Sequence, residues 1–221
     1  MIKMDFKPNV PKPFVLLLPL VGIGLFVLLY IIAAIGYPGG SWAVPHHEGF
    51  SFWNNYLCDL LDKYAINGEL NSGRYFARFS LAALCSGILL LWVYLPGLFS
   101  SKSINKRIMW YSGILSLIST LFLTSGTHDI TVRIAGFFGV IAFISCFIEL
   151  FKAGHYKLFT FGVLCLGIFL LNYYIYETGT FIRNLPIIQK VTFVSFILWF
   201  VFLDIFFFRN VKTIQDKSTK T

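Results

Sequence analysis

Charge is scarce in this sequence: Asp, Glu, Lys and Arg make up 13% of 221 residues, against 57% hydrophobic and 19% aromatic. A soluble domain of this length carries a charged shell, at ~25% of its residues, so the shortage excludes that class. No Cys-x-x-Cys pair is present; Cys85, Cys146 and Cys165 fall inside apolar runs and Cys58 stands alone. That excludes the usual spacings of thiol-redox and zinc-thiolate sites. His-Glu-x-x-His, which sets two metal ligands on one helical face, is also missing. The usual signs of a transporter, interrupted spans in matching halves, do not stand out, although Pro19, Gly22 and Gly24 lie in the first apolar run.

What the chain does have is apolar runs longer than ~18 residues. Six can cross ~30 Å of hydrocarbon as helices rising ~1.5 Å per residue: 14–37, 79–99, 108–127, 134–151, 158–176 and 185–208. This pattern predicts an all-α, polytopic membrane protein with six transmembrane helices in one domain, residues 1–209, and a polar tail, 210–221. The first run is too long for the apolar core of a signal peptide and more spans follow it, so it reads as an uncleaved anchor.

Alternating spans sort the charges. Lys3, Lys7, Lys12, Lys102, Lys106, Arg107, Lys152, Lys157, Arg209, Lys212, Lys217 and Lys220 fall on one side with four acids, Asp5, Glu149, Asp204 and Asp216. The other side holds six cations and six acids, so the formal net charge of +8 belongs to the first. The positive-inside rule makes that side cytoplasmic and places both termini there, in a cell membrane. Short basic segments beside apolar spans fit anionic headgroups rather than nucleic acid. The expected partners are therefore membrane lipids or another membrane protein, with no nucleic acid and no cofactor. Glu149 and Asp204 read as boundary charges, with Lys152 and Arg209 near enough in sequence to partner them.

The longest connection, 38–73, lies on the outer side. It opens Gly- and Pro-rich, "YPGGSWAVPHHEGF", which argues for irregular chain. In "SFWNNYLCDLLDKYA" the pattern changes: Trp53, Tyr56, Leu57, Leu60, Leu61 and Tyr64 recur at helical spacing, with Asn55, Cys58, Asp59 and Asp62 on the opposite face. This predicts a short amphipathic interfacial helix with its rings at headgroup level. Asn71 or Ser72 can cap the second span, where Arg74 and Arg78 share a face and either snorkel to phosphates, pair with Asp59 or Asp62, or hold an anionic ligand. In the next outer turn His128 and Asp129 sit at the membrane boundary, and Asp129 precedes Arg133 by one helical turn. Lys190 lies inside the last apolar run, where a lysine must snorkel or pair. Asn172, within the fifth run, reads as a bond to a neighbouring helix.

No reaction is named by these residues. The ligand-binding candidates are Asn55, Asp59, Arg74, Arg78 and His128, a polar outer pocket for a lipid headgroup or a membrane partner. Asp59 and His128 share a membrane depth and are the catalytic candidates for a lipid hydrolase or transferase, with His46, His47 and His128 as weak metal candidates if it uses a metal-activated water. Thiol catalysis through Cys58 meets an adjacent acid that would raise its pKa. A small-solute transporter is motivated only by the number of spans.

Several features together resemble a prokaryotic domain-of-unknown-function family of six-helix membrane proteins, distantly similar to DRAM-type autophagy modulators and GPI-anchor-remodelling proteins. That family's first outer loop ends in a motif close to Tyr-[Ile/Leu]-Ser-Asp-Leu-Gly, here Tyr56-Leu57-Cys58-Asp59-Leu60-Leu61. His128 matches a histidine near the outer turn of spans three and four, and Arg183, Gln189, Lys190 and Trp199 match its last outer loop and span. Cysteine stands here for the family's serine, and leucine for its glycine. The resemblance implies six spans with both ends cytoplasmic and supplies no established activity.

Overall fold

The computed structural model describes residues 11–99, 103–123 and 128–218. The described chain is all-α, with six α-helices: α1 (Leu18–Ile35), α2 (Arg74–Tyr94), α3 (Ile104–Leu121), α4 (His128–Lys152), α5 (Tyr156–Thr178) and α6 (Leu185–Ser218). Its only β pairing among the described residues is two isolated bridges in the 38–73 loop. Five stretches, Phe14–Ile35, Arg74–Leu98, His128–Lys152, Tyr156–Thr178 and Ile182–Thr213, are long and apolar enough to cross a membrane. The expected span at 108–127 corresponds to α3, which carries Asn105, Lys106 and Arg107 in its first turn and ends at Leu121; residues 124–127 lie outside the described ones. The tail expected from 210 begins as a continuation of α6, which runs to Ser218.

Sequential helices are neighbours, and α6 returns to α1. α1 and α2 approach closely because glycine faces glycine: a Cβ on Gly22 would lie 2.7 Å from the Ala83 carbonyl oxygen, and one on Gly87 3.1 Å from that of Pro19. Small residues let helix backbones touch where lipid supplies no hydrophobic drive between helices. In the middle of the bundle α2, α4 and α6 meet in an aromatic cluster of Trp92, Phe143, Phe147, Trp199 and Phe200. The two indoles also tie in the remaining neighbours: Trp92 Nε1 donates to the Met109 carbonyl of α3 at 2.8 Å, and Trp199 Nε1 to the Leu158 carbonyl of α5 at 2.9 Å. Each thereby satisfies an N–H that burial would otherwise penalise.

The bundle has two unlike ends. At the basic end Glu149, 1% exposed, accepts from Asn105 Nδ2 at 3.0 Å and lies 3.7 Å from Lys152 Nζ, the local pairing its position suggests. Asp204 differs from its expected role as a boundary charge. It is fully buried and, among the described residues, neither carboxyl oxygen has a hydrogen-bond partner; Arg209, five residues on, is beyond one helical turn and does not pair with it. At the opposite end Arg133 pairs across to Glu177 of α5 at 3.1 Å rather than back to Asp129, whose carboxylate accepts from the Tyr176 hydroxyl. α5 offers both groups across the interface, so the interhelical partners win over the one-turn pair. Asn172 Nδ2 donates to Thr192 Oγ1 of α6 at 3.3 Å, as its position inside a span suggests.

Candidate functional site

The 38–73 loop closes the end of the bundle formed by α1, α2 and α6. Its centre is the stretch 51–62, where short polar side chains take over backbone hydrogen bonding. Ser51 Oγ accepts from the Asn54 amide at 3.3 Å, and Asn55 Oδ1 accepts from the Ser51 amide at 2.8 Å. Asp59 Oδ2 accepts from the Tyr56 amide and from Asn55 Nδ2, both at 2.9 Å. Such local bonds offer the backbone an alternative to the helical ladder. Tyr56 is accordingly extended (φ −75°, ψ 154°), and only Leu57–Leu61 winds on, as a five-residue 3-10 helix. The continuous amphipathic helix expected here is thus a turn, an extended residue and a short tight helix. Apolar spacing of three and four does not distinguish the two, because a 3-10 turn brings i and i+3 onto one face.

Burial follows from this geometry. Leu60 and Leu61 enter a cluster with Ala33 of α1 and Ala77, Leu81 and Cys85 of α2, whereas Phe52 and Trp53 remain more than half exposed. Asn55, expected on a polar face turned toward the other outer loops, is fully buried. Its Nδ2 also donates to the Gly40 carbonyl at 2.7 Å, joining the two halves of the loop.

Irregular backbone packed against helices needs partners for its carbonyls and amides, and here α1, α2, α6 and the loop's own Asn71 supply them. From α6, Gln189 Oε1 accepts the Leu57 amide at 2.7 Å, and the Lys190 ammonium donates to the Asn55 carbonyl and, at 2.9 Å, to that of Pro186. From α1 the Tyr30 hydroxyl donates to the Leu57 carbonyl. From α2 Arg78 Nε donates to the Leu61 carbonyl at 3.0 Å. Asn71, also fully buried, gives its Nδ2 to the Leu60 and Asp62 carbonyls at 3.1 Å each. Lys190 is 5% exposed, so it pairs inward rather than snorkelling, with the Phe50 and Phe52 rings 5.8 and 5.2 Å from Nζ.

The electrostatics of the loop follow its enclosure. Burial raises the Asp59 carboxyl above the ordinary carboxylate range, an effect partly offset by the bonds from Asn55 and the Tyr56 amide and by the nearby Lys190 charge. The Cys58 thiol is pushed up to about 12, first by burial and then by the Asp59 carboxylate. A thiol held protonated in this way is inert as a nucleophile at neutral pH.

The candidate residues fall into three places. Asn55, Asp59 and Arg78 belong to the loop anchorage, with Arg78 on a backbone carbonyl rather than on Asp59. Arg74 lies at the exposed rim, bonded to the Asn71 carbonyl at 2.8 Å and the Tyr75 hydroxyl at 2.7 Å. The cap of α2 is Gly73, with no side chain from Asn71 or Ser72. His128 is elsewhere: its Nδ1 lies 3.1 Å from Asp129 Oδ1 and its ring 6.3 Å from that of Tyr176. His46 is exposed, and His47 Nδ1 lies 3.3 Å from the Glu48 carbonyl oxygen. Among the described residues no three His, Cys, Asp or Glu side chains converge as a metal site would require. Sequence reasoning did not single out Tyr30, one more tyrosine in an apolar run, and Gln189 stood out as a polar residue of the last outer loop and through the family resemblance. Lys190 carried its own signal, as a cation inside an apolar segment.

Comparison with family models, with curated proteins and with solved structures finds no match to this chain.

Proposed function

We propose that this is a multi-pass cell-membrane protein that binds a lipid headgroup at its loop end, without catalysis. The observation that carries the reading is the division of labour in the 38–73 loop. Asn55, Asp59, Asn71, Arg78, Gln189 and Lys190 hold the backbone, while Trp42, Phe52, Trp53 and Tyr64 stand more than half exposed around it. Two cations share that rim, Lys63 with Nζ 5.0 Å from the Tyr64 ring and Arg74 with its guanidinium 4.3 Å from the Tyr75 ring. Aromatic rings with cations beside them suit the phosphate level of a bilayer. The surplus of Lys and Arg at the other end supports two cytoplasmic termini, and α3 serves as the sixth span in this reading. The resemblance to the six-helix family agrees with it.

Soluble short-chain lipids test the proposal, because their headgroups are presented with little acyl chain. Dihexanoyl phosphatidylglycerol should raise the melting temperature of the detergent-solubilised protein more than the phosphatidylcholine equivalent does. The difference should vanish in a Trp53→Ala, Arg74→Gln double variant that retains its helicity. Equal shifts from both lipids in the wild-type protein would overturn the proposal in favour of a protein partner at this surface.

A further inference from the structure

A second feature lies at the basic end, away from the 38–73 loop. Between the C-terminal half of α4 and the start of α5 runs an open groove of about 480 Å³, lined by Ile144, Phe147, Ile148 and Phe151 on one side and Phe159 and Val163 on the other. Its floor has a local cause. Gly162 carries no side chain, and the Phe147 ring lies across it, where a Cβ would come within 2.3 Å of the ring. The walls are apolar and already exposed: Ile148, Phe151 and Val163 are each at least 40% accessible.

The groove's dimensions and its mouth identify an occupant. From Ile144 to Lys152 α4 advances ~12 Å, most of the ~15 Å depth of one hydrocarbon leaflet. Lys152 stands at the end of the lining, more than half exposed, with its Nζ 3.7 Å from Glu149 Oε1. Tyr156 opens α5 beside it, its ring edge-on to Phe151 at 5.4 Å, and Phe151 meets Phe159 at 5.2 Å. An apolar channel that matches most of a leaflet's depth, ending in an ammonium and a phenol, is complementary to one acyl chain and the phosphate of a single lipid.

We propose that the α4–α5 groove is a binding site for an anionic glycerophospholipid, with one acyl chain along Phe147, Ile148 and Val163 and its headgroup phosphate at Lys152 and Tyr156. This site is independent of the loop-end surface. Glu149 also accepts from Asn105, so Lys152 can turn toward a phosphate while Glu149 keeps that bond.

Native mass spectrometry of the full chain, with dioleoyl phosphatidylglycerol or dioleoyl phosphatidylcholine added to mild detergent, reads the site directly. The wild-type protein should retain one phosphatidylglycerol in preference to phosphatidylcholine. Val163→Trp, which fills the groove from a lipid-exposed position, should lose the retained lipid; Ile148→Trp provides the same block from α4 if the first variant folds poorly. Lys152→Gln should keep chain occupancy but lower the preference about fivefold, the weight of one lysine near an anionic surface. Equal retention of the two lipids by the wild-type protein, or retention unchanged in both tryptophan variants, would overturn the proposal. So would loss of a dimer rather than of a lipid in those variants, which would make the groove a helix-docking face.

Discussion

The ammonium of Lys190, in the first turns of α6, is bonded to the backbone carbonyl of Asn55, 135 positions earlier in the chain. A buried cation is thus matched to neutral backbone acceptors and two aromatic rings, with the Asp59 carboxylate close enough to feel its field. Removing the cation leaves the Asn55 carbonyl without its partner. Lys190→Met should cost about 1.5–3 kcal/mol, the range for hydrogen bonds from charged groups. Amide hydrogen exchange should accelerate over residues 50–62 while the middle of α4 stays protected. Lys190→Arg should not restore the wild-type pattern, because a planar guanidinium does not fit a site shaped for a compact ammonium.

Asp59 gives the loop a pH dependence of defined sign. Its carboxyl is raised in the folded state, so the folded protein holds this proton more tightly than the unfolded chain does. The stabilisation is complete below the ordinary carboxylate value of ~3.9, and it is lost as pH rises through the raised folded value. The difference in melting temperature between wild-type protein and Asp59→Asn should therefore move against the wild type across that interval. A difference that moves the other way would mean that the Asn55 and Tyr56 bonds outweigh burial.

Cys58 should be slow toward maleimide. With its thiol at about 12, the thiolate population near neutral pH falls about a thousandfold below that of an ordinary cysteine. Quantitative labelling of native and denatured protein, with peptide-level readout at Cys58, measures the ratio. Rapid labelling in the native state would show that the 3-10 turn opens on the labelling timescale.

Asp204 is buried on α6 with both carboxyl oxygens unpartnered among the described residues. A polar group in that position costs about 1–3 kcal/mol, so Asp204→Leu should stabilise the detergent-solubilised protein, by about 2–4 °C per kcal/mol for a chain of this size. A fall in melting temperature instead would show that the carboxyl is bonded in solution.

The contrast between Lys190 and Asn55 shows what could be read from the amino-acid order. Lys190 announces itself, because a cation inside an apolar run must find a partner whatever the fold. The helices are legible for the same reason: long apolar stretches admit one backbone solution in lipid. Asn55 is not legible, because its direction depends on whether Tyr56 continues a helix or breaks it. That is decided by side-chain bonds from Ser51, Asn55 and Asp59 which periodicity does not record. His128 and Asp59 illustrate a second limit. Equal depth in a membrane places two residues in one plane but not at one point, and α4 and α5 draw His128 toward Asp129 and Tyr176.

The anchorage of the loop also sets an order of events during biosynthesis. Its own residues and its ties to α1 and α2 emerge early, but Gln189 and Lys190 emerge only with α6. At ~5–20 residues per second, the 135 positions between Asn55 and Lys190 take roughly 7–27 s to synthesise. Throughout that interval the nascent loop lacks its last two fastenings, and it is then the part of the molecule most open to chaperones and proteases. Insertion of the final helix completes the loop, so a chain truncated before α6 would keep its early hairpins and present a permanently unfinished surface.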